Sequence, residues 1–286
     1  FVKKIVRNNI RKIVFVSNKS KETFNNLVDK EYIIKNNIKT VNIKNYIDGE
    51  NILKNANRFE EIENDTKYEQ LKEIIKEHNK NGNIIFLNVG RHSKEKNLMT
   101  LIKVFNNIIK NSEKENKKDN ENQNQNQNQK EDEYGDNILE KKIYLLMVGD
   151  GKETKELIKY VEENKLADRI IFLGNKKNPY PYFKMADYVI LTSLNEGYPV
   201  VFQEAMILDK KIITTDVSDA VIDIKEQQRG YIISFDEKNM KNEIIEIVKK
   251  EEQQENGIKL KKYNYIEENN INNDKIYKDI LELVKE

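Results

Sequence analysis

The sequence predicts an α/β fold: a doubly wound, Rossmann-like parallel sheet with flanking helices. Three observations carry this. Short β-branched apolar runs alternate with amphipathic helical stretches, as strands joined by helical crossovers do. The runs Ile84-Ile85-Phe86-Leu87 and Ile143-Tyr144-Leu145-Leu146-Met147 are apolar without alternation, which suits strands buried on both faces. Several runs also end in glycine or charged residues just before a helical pattern begins, where doubly wound sheets hold their ligands.

In order, the expected strands are Ile13–Ser17, Thr40–Ile43, Ile84–Val89, Ile143–Val148, Ile170–Leu173, Tyr188–Thr192, Lys211–Thr215 and Tyr231–Ile233. Helical patterns fill gaps at Leu98–Ile109, Glu153–Glu163 and Pro199–Leu208. Near the end, Ile276, Ile280, Leu283 and Val284 share one helical face. Residues 1–60 read as the trailing part of an amino-terminal domain and 61–82 as a connecting helix. Residues 83–250 form a complete doubly wound domain, and 251–286 a carboxyl-terminal helical segment. Because the chain opens on Phe1 rather than Met, with a strand-like run soon after, we expect a fragment whose upstream part is missing. Residues 112–137, with the tract Asn122 to Gln129, have almost no large apolar side chains to offset ordering entropy. A disordered surface insertion is expected there.

Composition narrows the function classes. Lys plus Arg number 50 against 49 Asp plus Glu, a net charge of +1, so no basic excess points to nucleic acid. The absence of cysteine excludes disulfides, thiolate zinc sites and a cysteine nucleophile. Two histidines, His78 and His92, are too few for a histidine-rich metal site, and no Asp-x-Asp pair occurs; no metal is expected. No apolar stretch has transmembrane length and no signal peptide opens the chain, which reads as cytoplasmic, with peripheral membrane association left open.

Three strand ends carry candidate chemistry. After the first buried strand comes Val89-Gly90-Arg91-His92-Ser93-Lys94-Glu95-Lys96, where Gly90 permits a sharp exit and Arg91 and Lys96 can converge on one anion. A solvated turn with ordinary surface cations fits the same spacing. Val148-Gly149-Asp150-Gly151 follows the next, and its glycines allow close backbone approach or simply a tight turn. The third is Thr192 to Ala205. Pro199 suits the first helical position, and the amides of Gly197 and Tyr198 lead into a helix N-terminus that favours a diphosphate. Glu196 precedes that helix and Glu204 lies about one and a half turns inside it, so both can meet one ligand at different heights. A carboxylate accepts two hydrogen bonds at once from vicinal hydroxyls. Glu204 sits between Phe202 and Ala205-Met206, where a charge needs a partner. His92 reads as a surface or supporting histidine and His78 as a solvated one. Tyr180, Tyr182 and Phe183 read as packing aromatics.

Together these segments resemble the retaining GT-B glycosyltransferases of family 4. The likeness rests on Gly90-Arg91-x-Ser93-x-Glu95-Lys96, Val148-Gly149-Asp150-Gly151, Phe172-Leu173-Gly174, Asn178-Pro179-Tyr180-Pro181-Tyr182, Ala186-Asp187, and Glu196 through Glu204 in this order. The resemblance implies a GT-B fold and a nucleotide-diphosphate sugar as substrate, with no cofactor and no metal. It also implies a catalytic set of Glu196, Arg91 and Lys96, with Arg91 and Lys96 neutralising the leaving diphosphate. Glu204 would bind the ribose, Glu196 would lie near the transferred sugar, and Gly90, Gly149, Gly151, Gly197, Tyr198 and Pro199 would line the donor. A glycan or lipid-linked acceptor would be held by the missing amino-terminal domain, so the fragment by itself is expected to be inactive. The Asn-Pro-Tyr-Pro-Tyr stretch looks most like bacterial enzymes of surface polysaccharide or teichoic-acid-type synthesis. Two departures stand out. The family's amino-terminal glycine-rich loop, acceptor pocket and catalytic-site histidine cannot be located, and Asp216-Val217-Ser218-Asp219-Ala220 stands where a glycine-containing loop is usual. A GT-B nucleotide-sugar 2-epimerase and a non-catalytic nucleotide-sugar-binding module remain as alternatives.

Overall fold

The structure is a computed structural model that describes residues 10–121, 141–218, 220–226, 228–252 and 265–285. In chain order its elements are β1 (Lys12–Phe15), α1 (Asn18–Leu27), α2 (Lys30–Lys35), β2 (Lys39–Asn42), α3 (Gly49–Asn55), α4 (Glu60–Glu63) and α5 (Tyr68–Asn81). There follow β3 (Ile84–Val89), α6 (Leu98–Glu121), β4 (Ile143–Val148), α7 (Thr154–Glu163), β5 (Ile170–Gly174), α8 (Tyr180–Met185) and β6 (Tyr188–Leu191). The last are α9 (Val200–Ile207), β7 (Lys211–Thr215), α10 (Ala220–Glu226), β8 (Gly230–Ile233), α11 (Glu237–Glu252) and α12 (Tyr265–Lys285).

Six strands form one parallel sheet in the order β5-β4-β3-β6-β7-β8, and β1 and β2 pair in parallel as a separate two-stranded sheet. The unbroken apolar runs are explained by burial on both faces. Ile85, Leu87, Tyr144 and Leu146 enter the core on one side, under α5, α8 and α9. Their alternating neighbours Ile84, Phe86, Ile143, Leu145 and Met147 enter the other, under α6, α7 and α11. Phe86 anchors the second core, edge-on to Phe105 at 5.1 Å and stacked on Tyr188 at 5.2 Å.

Several expectations are corrected. α6 does not stop where the insertion was expected to begin: it continues through Glu121, so residues 112–121 are helical. Glu and Lys lose little rotamer freedom in a helix, and the apolar face of Leu98–Ile109 has already nucleated it. The remainder of the expected insertion, 122–137, lies outside the described residues. The stretch read as one connecting helix is two, α4 and α5, divided at Asp65. Asp65 accepts from the Lys67 N–H at 2.9 Å and pairs with Lys176 at 2.7 Å, which fixes the break. Among the described residues no helix is long and apolar enough to cross a membrane.

Candidate donor-binding site

The sheet order reverses between β3 and β6. β4 and β5 extend from one side of that pair, β7 and β8 from the other. In open α/β sheets ligands bind outside the carboxyl ends of the strands at such a switch point. The β3–β6 ladder covers Phe86↔Tyr188 and Leu87↔Val189. Beyond it the buried Asn88 amide spans the gap, donating to the Ile190 carbonyl at 2.7 Å. The loops that leave these strand ends are the ones holding Arg91 and Lys96, and Glu196 to Pro199.

The two loops are tied together. The Leu194 N–H donates to the Glu95 carbonyl at 2.7 Å, and Thr192 Oγ1 to the Lys96 carbonyl at 3.2 Å. Thr215, from the end of β7, donates to the Ser193 carbonyl at 2.7 Å. Across this seam Lys96 Nζ forms an ion pair with Glu196 Oε1, the side chains being 25% and 15% exposed. Ser193 Oγ donates to the same oxygen at 2.6 Å. Lys96 reaches the pair by passing over Gly90, whose hypothetical Cβ would lie 3.7 Å from Lys96 Cε. Arg91 is exposed.

Gly149 and Gly151 make the close backbone approach that their spacing allows, against the neighbouring loop. A Cβ on Gly149, at φ +134°, would fall 1.9 Å from the Gly90 carbonyl oxygen, and one on Gly151 would fall 2.3 Å from that of His92. The Gly149 amide donates to Gly174 O, and the Gly151 amide to Asp150 Oδ1 and Thr154 Oγ1. Both amides are thus committed within the protein, and these glycines serve to bring the β3 and β4 loops into contact.

α9 starts one residue later than expected. Pro199 is its N-cap, with an extended ψ of 119°, and Val200 is the first helical residue. Proline has a fixed φ but is free to take the extended ψ a cap needs. No side chain caps this end and no acidic residue lies in the first turn; the Phe202 N–H donates to the Pro199 carbonyl at 3.1 Å, so the Val200 and Val201 amides remain for a ligand or solvent. Gly197 packs against the first unit, where a Cβ would meet Val16 at 3.1 Å and Ser20 at 3.2 Å. Asn45 donates to the Tyr198 carbonyl at 3.1 Å, and Lys44 Nζ lies 5.6 Å from the centre of the Tyr198 ring. The strap after β2 therefore holds the turn that leads into α9.

Glu204, the fifth residue of α9, is partly buried and accepts from the Tyr180 hydroxyl at 3.1 Å. Burial pushes its carboxyl above the usual range, and the Tyr180 bond opposes this. Tyr180 thus supplies the partner that the apolar neighbours of Glu204 demanded. Tyr182 and Phe183 are buried, in line with packing.

The solvated reading of His78 is corrected, and of the two readings of His92 the surface one falls. His92 is 0% exposed, held by backbone bonds to Asp150 and Glu153 on the neighbouring loop. His78 is partly buried, its Nδ1 bonded to the Asn83 carbonyl and 3.7 Å from Asp187. Sequence reasoning also passed over Asn88, Ser193, Lys44 and Asn45, and read Tyr180 only as a packing aromatic. A polar Asn88 within an apolar strand was the signal for the first, and Ser193 lies three residues from its partner Glu196; Tyr180, Lys44 and Asn45 have partners distant in sequence.

Known proteins with this arrangement point one way. N-acetyl-alpha-D-glucosaminyl L-malate synthase of Bacillus anthracis is 30% identical over 116 residues, 40% of this chain and 30% of that protein. An uncharacterised glycosyltransferase of Methanocaldococcus jannaschii is 23% identical over 184 residues, 64% of this chain and 37% of its own length. The chain therefore spans about a third of these relatives. Among solved structures, Anabaena HepE in complex with UDP and glucose aligns over 99% of this chain and 66% of its own, with a TM-score of 0.61 and 17% identity. The fold is that of the GT-B glycosyltransferases. The model of the family described as Glycosyl transferases group 1 matches residues 70–265, well over half of the sequence, and the chain belongs to that family.

Proposed function

We propose that this chain binds the donor of a family 4, retaining, metal-independent glycosyltransferase. The whole enzyme would transfer a sugar from a nucleoside-diphosphate sugar to a glycan or lipid-linked acceptor held by an amino-terminal domain. The setting would be bacterial surface polysaccharide or teichoic-acid-type synthesis at the cytoplasmic face of the membrane. The observation that carries the reading is the Lys96–Glu196 pair at the switch point, in the loop that leads to the uncapped end of α9.

The chemistry follows from charge. As the bond from the sugar to the diphosphate breaks and the acceptor oxygen bonds to the sugar, negative charge grows on the diphosphate. Lys96, Arg91 and the α9 amides offer fixed positive charge and dipole there, the part a divalent ion plays elsewhere. When the diphosphate takes Lys96, Glu196 loses its cation, keeps Ser193 and turns to the sugar. Glu204, with Tyr180 beside it, suits the two ribose hydroxyls. HepE was solved with UDP and glucose, which supports uridine nucleotides as the first to try.

A thermal-shift screen of UDP-, GDP-, ADP- and CDP-sugars tests the reading. A donor at about a hundred times its Kd adds about 2.7 kcal/mol, a rise of roughly 5–10 °C for a domain of this size. No shift with any of the four would defeat it. With an acceptor, the anomeric configuration of the product read by NMR tests retention; interconversion of the free donor would identify an epimerase instead.

A further inference from the structure

His92 is a buried titratable group that the chemistry above does not use. Its hydrogen bonds fix its tautomer. Thr154 Oγ1 donates to Asp150 Oδ1 at 2.6 Å, and an ionised carboxylate can only accept. With its one hydrogen used, Thr154 must accept across its 2.8 Å contact with His92 Nδ1, so the ring donates. The neutral imidazole then carries its proton on Nδ1 and a bare lone pair on Nε2. That Nε2 is buried and has no hydrogen-bond partner among the described residues. Phe172 packs against the ring in a T-shaped contact, 5.8 Å between centroids.

We propose that neutral His92, through its Nδ1–H bond to Thr154, is a positioning residue: it latches the Gly90–Lys96 loop onto the Gly149–Thr154 loop and so sets Arg91 and Lys96 for a diphosphate. The diphosphate clause rests on the donor reading above; the latch does not. The main chain shares the task, since the His92 N–H donates to Asp150 O at 3.0 Å and the Glu153 N–H to His92 O at 3.1 Å. A latch of this kind responds to pH. A second proton would place an N–H donor on Nε2 where nothing accepts it. Burial holds the imidazole below its ordinary pKa, and Asp150, the charge that reaches it among the described residues, opposes this. The latch is therefore complete above the ordinary histidine range, near pH ~6.5, and weakens as the pH falls through the depressed folded value.

The test uses the whole chain with His92→Leu, Thr154→Val and His92→Asn. The Asn carboxamide places a donor near where Nδ1 lies but does not titrate. Two quantities are read at pH 7.5 and 5.5: hydrogen-exchange protection of the 90–96 amides, and calorimetric affinity for UDP, GDP, ADP and CDP against the matching nucleosides. His92→Leu and Thr154→Val should each lower protection about tenfold and weaken the best-bound diphosphate by a similar factor, leaving its nucleoside unchanged. His92→Asn should restore both to within about threefold and abolish their extra loss at pH 5.5. If His92→Leu fails to fold, the near-isosteric Thr154→Val carries the comparison. Wild-type protection and affinity in Thr154→Val, or an Asn variant as impaired as Leu, would overturn the proposal. If the loop loosens as stated but wild-type protein binds none of the four diphosphates, the latch stands and the donor reading falls.

Discussion

Replacing Lys96 with Met keeps the stem that crosses Gly90 and removes the charge. In the free protein this strands Glu196, whose side chain is 15% exposed and keeps Ser193 as a partner at 2.6 Å. A hydrogen bond to a charged group contributes about 1.5–3 kcal/mol, so losing the one from Lys96 to a diphosphate should weaken binding roughly 10- to 150-fold. Glu196, now unpaired beside two phosphates, adds repulsion on top. The double variant Lys96→Met with Glu196→Gln removes that repulsion and should recover about 1 kcal/mol, near fivefold. Calorimetry of the four proteins in the cycle, each with a nucleoside diphosphate and its nucleoside, reads these terms. Nucleoside affinity should stay within about twofold throughout. Equal losses for diphosphate and nucleoside, or a double variant no better than Lys96→Met, would refute the assignment of Lys96 to phosphate.

Other outcomes follow from the same contacts. Gly149→Ala, whose Cβ would fall 1.9 Å from Gly90 O, should cost about 3 kcal/mol or more and lower the Tm by at least roughly 6 °C in a calorimetric scan. Glu204→Gln removes a carboxylate whose folded pKa is raised by burial. Wild-type stability is thus favoured below the ordinary Glu range and declines as pH rises through the folded value. At pH 7.5 the Gln variant should melt at or up to a few degrees above wild type yet bind nucleosides about tenfold more weakly; a lower Tm with intact binding would contradict this. Asn45→Ala frees the Tyr198 carbonyl and should increase amide exchange across 197–200 while leaving β3 and β4 protected.

Strand positions were legible because burial on both faces writes itself into sequence as runs such as Ile84 to Leu87. Where glycine or charge follows the run, as after Val89, Val148, Leu173 and Thr215, the ends agree with the structure to within one residue. The reversal of strand order was not legible. Nothing local tells β6 to pair with β3 rather than with β5, so the meeting of Lys96 with Glu196 had to come from the fold. Glycine pairs announced close approach but not what approached: at Gly149 it is the Gly90 backbone. Which of its two readings held for His92 was hidden for a related reason. Its neighbours Arg91 and Ser93 look like a surface loop, while its partners Asp150 and Thr154 lie on another strand end. Glu204 was the easier inference, because an acid among Phe202, Ala205 and Met206 needs a partner, although its being Tyr180 was beyond sequence.

The central claim is that a nucleoside diphosphate sits at the carboxyl ends of β3 and β6. Amide chemical-shift mapping, with whichever of UDP, GDP, ADP and CDP gives the largest thermal shift, tests it most directly. The account predicts the largest changes in Gly90–Asn97 and in the segment from Thr192 through the first turn of α9. Changes concentrated instead at the opposite end of the sheet, around Asn83, Asp187 and Lys210, would contradict it.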